Sequence, residues 1–146
     1  MLSASGRRVN STRNAALLTW LALEREAVWF YPFAGARVSG VADDARTVAA
    51  SHRRTRDRLL SLVKDDTTTV RPSYDVGTLD SVDLDSIDAV SIAARDLEQR
   101  IQSACLAVVA SSDGDDRGDA IAGLRTASLA EIAWSGEARA FPGMRD

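Results

Sequence analysis

SIDAVSIAARDLEQRIQSACLAVVA, residues 86–110, decides the fold class. Ile87, Val90, Ala94, Leu97, Ile101 and Val108 recur at three- and four-residue spacing, which gathers them on one side of an α-helix and on both sides of a strand. The segment therefore reads as one long amphipathic helix beginning near Asp85 or Ser86. Its apolar stripe needs partners, and three further segments supply matching ones.

Upstream, Leu17, Leu21, Glu24, Val28, Tyr31 and Val38 form a stripe from about Thr12 to Val38, ended by Ser39-Gly40. Pro32 lies inside it and lacks an amide donor, so a kink is expected between Val28 and Pro32. A second helix, with Asp43 as N-cap, runs to about Lys64 on Ala45, Val48, His52, Thr55, Leu59 and Leu62. Downstream, an acidic turn from Ser111 to Gly118 precedes a fourth helix, capped by Asp119 and ending near Ser135. This helix is expected to present Ile121, Leu124, Ser128 and Ile132. Residues 65–85 lose the periodicity, carry Arg71-Pro72 and Gly77, and suit one long crossover between helices 2 and 3. The expected fold is all-α, a four-helix bundle of ferritin-like design. Residues 1–10 form a flexible tail and residues 11–146 a single domain, with Phe141 packed against a helix.

Composition agrees. The 146 residues are 45% hydrophobic and 27% charged, globular values that distinguish the chain from a disordered one. Alanine, with 24 occurrences, favours helix. A net charge of −3 lacks the electrostatic footprint of a nucleic-acid binder. Arg53, Arg54, Arg56 and Arg58 form a basic cluster, interrupted by Asp57, that reads either as a solvated helix face or as a phosphate-binding surface. Cys105 is the lone cysteine and reads as a small core residue, compatible with a reducing cytoplasm. The apolar run from Ala15 to Leu23 continues into Glu24-Arg25-Glu26, so it reads as a structural helix, neither signal peptide nor membrane span.

The rare polar residues on the stripes carry whatever chemistry exists. Glu24, His52, Glu98 and Glu131 place one acid or imidazole near the apolar seam of each helix. A ferritin-like di-iron bundle takes a Glu from each of two helices and a Glu-x-x-His pair from each of the other two. Here the order is Glu24, Ala49-Ala50-Ser51-His52, Glu98 and Glu131-Ile132-Ala133-Trp134, with Glu98 and Glu131 33 positions apart. Ala49 stands where a carboxylate is needed, and Trp134 where the second imidazole is needed. Three carboxylates cannot neutralise two Fe²⁺ ions, so a dinuclear centre is short of ligands. Two readings remain beside a working di-metal oxidase. One is a buried hydrogen-bonded network pairing carboxylates with His52 and a nearby arginine. The other is a single divalent ion, Fe, Mn or Zn, on Glu24, His52, Glu98 and Glu131. The network reading is preferred, with no cofactor expected.

Leu23-Glu24-Arg25-Glu26-Ala27-Val28-Trp29, Tyr31, Gly35-Ala36-Arg37, Ala50-Ser51-His52-Arg53-Arg54 with Asp57, and Ala140-Phe141-Pro142-Gly143 resemble the uncharacterised actinobacterial ferritin-like family of alanine-rich domains. The resemblance extends over nearly the whole chain, implies the fold, and implies no activity; Pro32 departs from the small residue expected there. Leu18, Trp20, Leu23, Trp29, Phe30 and Phe33 make helix 1 apolar over a wide arc, so a homodimer through helices 1 and 2 is expected. The functional expectation is a non-enzymatic domain that binds an unidentified partner or ligand, without nucleic acid or membrane. The alternative is a metal-binding or redox protein.

Overall fold

The computed structural model describes residues 4–63, 84–136 and 142–143. Among these residues every regular element is helical: α1 (Ala4–Arg37), a single 3-10 turn (Ser39–Val41), α2 (Ala42–Leu62), α3 (Ile87–Ser111) and α4 (Gly114–Ser135). The chain is an all-α four-helix bundle.

Contacts between helix ends fix the directions. Arg13, near the start of α1, pairs with Asp116 in the first turn of α4, and Arg37, at the end of α1, lies 3.0 Å from Asp85 just before α3. Arg58, near the end of α2, reaches Asp119 at 2.9 Å near the start of α4. Helices α1 and α4 therefore run one way, and α2 and α3 the other. The start of α3 lies beside the start of α2, where Ile87 approaches Gly40, so the end of α2 and the start of α3 are separated by the length of α2, roughly 30 Å at 1.5 Å per residue. Of the expected crossover at residues 65–85, residues 65–83 lie outside the described residues.

Leu17, Leu21, Phe30, Leu59, Leu97 and Ile101 are fully buried and form the centre of the core. Each side chain of this kind contributes about 1.5–3 kcal/mol relative to exposure. Helix α3 fulfils its reading, because Val90, Ala94, Leu97, Ile101 and Val108 are all buried and Ser86 caps it by accepting the Ala89 amide. Ile87 is the exception at 53% exposure.

The structure corrects four boundaries or faces. Helix α1 begins at Ala4, so most of the expected N-terminal tail is helical; extending an existing helix avoids the nucleation cost, and Ala and Arg tolerate it well. Its far end agrees with the reading, since the helix passes through Pro32 to Arg37. Val41, not Asp43, occupies the N-cap of α2; Asp43 lies in the first turn and binds Arg46 at 2.7 Å. Helix α4 starts at Gly114, taking up most of the expected acidic turn, with Asp113 at its N-cap and Asp119 inside it. Its buried face is Ala120, Ala127 and Glu131, whereas Ile121 is 52% exposed.

That small-residue face has a packing reason. A Cβ on Gly123 would lie 2.2 and 2.7 Å from the Trp20 ring and 3.1 Å from Cys105 Sγ, so the indole fills the space that a side chain on α4 would otherwise occupy. Overpacking should cost Gly123→Ala about 1–3 kcal/mol, which cancels or exceeds the ~1 kcal/mol gain in helix propensity. Urea unfolding measures the sign, and a net stabilisation would contradict this packing. At the C-terminus, Ser103 donates to the Gly143 carbonyl at 3.0 Å, which seats the Pro142-Gly143 turn on α3. The expected packing of Phe141 lies outside the described residues.

Candidate functional site

Three of the four expected polar residues meet in one continuous chain. Helix α1 brings Glu24, α2 brings His52 and α3 brings Glu98, with exposures of 2%, 3% and 0%. His52 Nδ1 lies 2.7 Å from Glu24 Oε2, and Nε2 lies 3.0 Å from Glu98 Oε1. An ionised carboxylate only accepts, so a ring between two of them donates from both nitrogens as an imidazolium. Burial opposes that charge, but hydrogen bonds and Coulomb attraction from Glu24 and Glu98 overcome it, raising the pKa from 6.5 to about 10.

Aromatic donors complete the chain. Trp20 Nε1–H donates to Glu24 Oε1 at 2.8 Å, and the Tyr31 hydroxyl donates to Glu98 Oε1 at 2.5 Å. The Tyr31 ring stacks between His52, 5.3 Å away, and Trp134, 5.9 Å away. Burial, with the Glu98 charge and hydrogen bond, holds the phenol protonated well above its usual range; the Trp134 indole pulls the other way without hydrogen-bond geometry. The buried Cys105 thiol is likewise raised, first by burial and then by the Glu24 and Glu98 charges, leaving it inert as a nucleophile.

Glu131 is buried and accepts hydrogen bonds from two amides. Gln99 Nε2 donates to Oε1 and Gln102 Nε2 to Oε2, both at 2.7 Å. Among the described residues, neither Glu24 nor Glu98 pairs with the anticipated arginine. Arg100 instead forms a bidentate pair with Glu26, at 3.0 and 2.7 Å. Sequence reasoning missed Trp20, Gln99 and Gln102 as polar participants. The signal for the glutamines was available, since Gln99 and Gln102 are one helical turn apart and flank the Glu98 seam.

This arrangement does not fit the metal site expected of a ferritin-like bundle. A metal-bound imidazole must present a ring lone pair, and both His52 nitrogens are committed to carboxylates. Among the described residues no group of three or more His, Cys, Asp or Glu side chains is disposed to hold a metal ion. Ala49 is buried without polar atoms, and Trp134 supplies a stacked ring in place of a second imidazole. The expected single ion on Glu24, His52, Glu98 and Glu131 would have to displace a proton and at least one short hydrogen bond. What the site does, as arranged, is hold a buried proton between two carboxylates.

Comparison with known proteins agrees with the fold and names no activity. The profile of a family described as "Domain of unknown function (DUF4439)" matches residues 16–146. The crystal structure of a conserved hypothetical protein, rv2844, from Mycobacterium tuberculosis superposes with a TM-score of 0.73. The match is 24% identical and covers 94% of this chain and 98% of that one. No curated protein matches the chain.

Proposed function

This chain belongs to the family described as Domain of unknown function (DUF4439), and from that premise we propose that it is a non-enzymatic binding domain of ferritin-like kinship. Its buried charges serve structure rather than turnover. It acts by pairing with a second copy through α1 and α2 and by binding a partner or ligand, and the reducing cytoplasm fits its lone buried thiol. The observation that carries this reading is the commitment of both His52 nitrogens to Glu24 and Glu98. Glu24, His52 and Glu98 are all buried, and the imidazolium has no lone pair to offer.

Pairing is supported by the outward side of α1 and α2. Phe33, 37% exposed, stacks on Trp29 with ring centroids 5.0 Å apart, and the Arg37 guanidinium lies over its ring, 5.4 Å from the centroid. Leu60 of α2 is 41% exposed. Apolar groups of this size on neighbouring helices gain by covering one another's surface at about 25 cal/mol per Å².

One observation favours the second reading, a metal-binding or redox protein on Glu24, His52, Glu98 and Glu131. Glu98 Oε2 and Gln102 Oε1 are buried acceptors without a hydrogen-bond partner among the described residues, which a cation or a water would satisfy. A single experiment separates the two. Protein exposed to Fe²⁺, Mn²⁺ or Zn²⁺ and desalted is expected to retain no stoichiometric metal and an unchanged Tm. Light scattering is expected to give a dimer that Phe33→Glu converts to monomer. One equivalent of metal, with a rise in Tm abolished by His52→Ala, would establish the second reading; a wild-type monomer would remove the pairing.

A further inference from the structure

The α1–α2 side of the bundle carries a cavity of about 280 Å³, close to the lower bound of small-molecule pockets. Pro32, Gly35 and Ala36 of α1 face Ala45 and Ala49 of α2 across it, and the Tyr31 ring forms part of its wall. The helices approach closely here, because a Cβ on Gly35 would lie 3.1 Å from that of Ala45. The result is an apolar groove with no hydrogen-bonding side chain in its floor.

Its lip is cationic. Arg46 and Arg53 both line the groove, seven positions and nearly two helical turns apart on α2. Among the described residues Arg46 is engaged only by Asp43, in a pair whose side chains are 74% and 92% exposed, which binds it weakly. Arg53 is exposed and has no hydrogen-bond or ion-pair partner among the described residues, unlike Arg56 and Arg58, which bind Asp57 and Asp119. An unpaired guanidinium beside an apolar concavity is complementary to one chemistry: a fork-shaped oxyanion attached to a small apolar body. The volume corresponds to about nine waters at ~30 Å³ each, enough for a body of several carbons.

We infer that this groove binds a small amphipathic anion, a carboxylate or phosphate monoester, with Arg53 holding the oxyanion and the Ala45–Ala49 floor receiving the apolar body. The inference rests on the reading of the chain as a binding domain and supplies the class of its ligand. It does not depend on pairing. The basic cluster at residues 53–58 thereby divides, with Arg53 serving the groove and Arg56 and Arg58 serving ion pairs within the protein.

Hexanoate and hexyl phosphate are the probes, with acetate, inorganic phosphate and hexanol as controls, followed by ¹³C-methyl NMR of the alanines. Saturable shifts at Ala45 and Ala49 are expected with hexanoate, hexyl phosphate or both, and the stronger of the two identifies the headgroup. Removing either the charge or the body should weaken binding. Arg53→Ala should weaken it roughly tenfold or more, as loss of a charge-assisted hydrogen bond requires. Ala36→Phe, which adds a ring at an exposed position on the lip, should abolish it while circular dichroism stays unchanged. Absence of saturable shifts, equal binding of hexanol, or binding indifferent to Arg53→Ala would overturn the inference. Light scattering and metal content, read on the same samples, report separately on the binding-domain reading, so failure of one is distinguishable from failure of the other.

Discussion

His52→Ala is expected to destabilise the bundle by about 3–5 kcal/mol, a large share of the 5–15 kcal/mol that holds a typical domain folded. The loss does not come from a missing attraction alone. Glu24 and Glu98 are 2% and 0% exposed, and without the imidazolium two carboxylates face one another in the core with only the Trp20 and Tyr31 donors to stabilise them. The protein can respond only by protonating a carboxylate, admitting water or unfolding. One feature of the result is specific to this cause: adding Glu98→Gln to His52→Ala should restore part of the stability, since it removes one of the stranded charges. Urea unfolding at pH 7 measures both the loss and the recovery. A loss below 1 kcal/mol, or no recovery in the double variant, would mean that His52 is not balancing buried charge.

The second large effect is a fall in stability with rising pH, at a rate one group can account for. The folded pKa of His52 is about 10 against 6.5 in the unfolded chain. A raised pKa contributes stability that is complete below 6.5 and lost as pH rises through the folded value. Between pH 7 and pH 9 the unfolded chain has released this proton and the native protein has not, so stability should drop by about 1.4 kcal/mol per pH unit. The chain has one histidine, which makes the window unusually free of competing groups. Above pH 9 the raised pKa values of Cys105 and Tyr31 add losses of the same sign. Chemical denaturation at half-unit steps from pH 6 to pH 9 should trace the slope in wild type and show it flattened in His52→Gln.

Much of this architecture is legible in the residue order, and where it is not the cause is physical. Helix α3 is readable because its inner face is built from large aliphatic residues whose period stands out, and Ser86 marks its start. Helix α4 is not, because Ala120, Gly123 and Ala127 face inward and hydrophobic size is what periodicity detects. Leu124 packs against the core as read, but Ile121 lies on the outside at 52% exposure, so the expected face only partly coincides with the small-residue one. The seam is set instead by Trp20 of α1, which demands a smooth surface opposite. Glu24, His52, Glu98 and Glu131 are identifiable as inward-facing because charged residues are out of place on such stripes. How they divide is not, since a three-member chain and a separate amide clamp depend on side-chain reach across helices. The N-terminal start of α1 shows the same limit from the other direction, because helix extension past the last core contact leaves no hydrophobic pattern to read.

The central claim is that a proton, shared by His52 with two buried carboxylates, occupies the place on the bundle axis where this arrangement of residues suggests a metal. The most direct measurement is the ¹⁵N NMR spectrum of the single histidine ring across pH 6 to 11. The expected result is two protonated ring nitrogens that persist past pH 9, with loss of the first proton near pH 10 and no change on adding Fe²⁺ or Zn²⁺. A ring that turns neutral near pH 6.5, or one nitrogen shifted by added metal at pH 7.5, would contradict it.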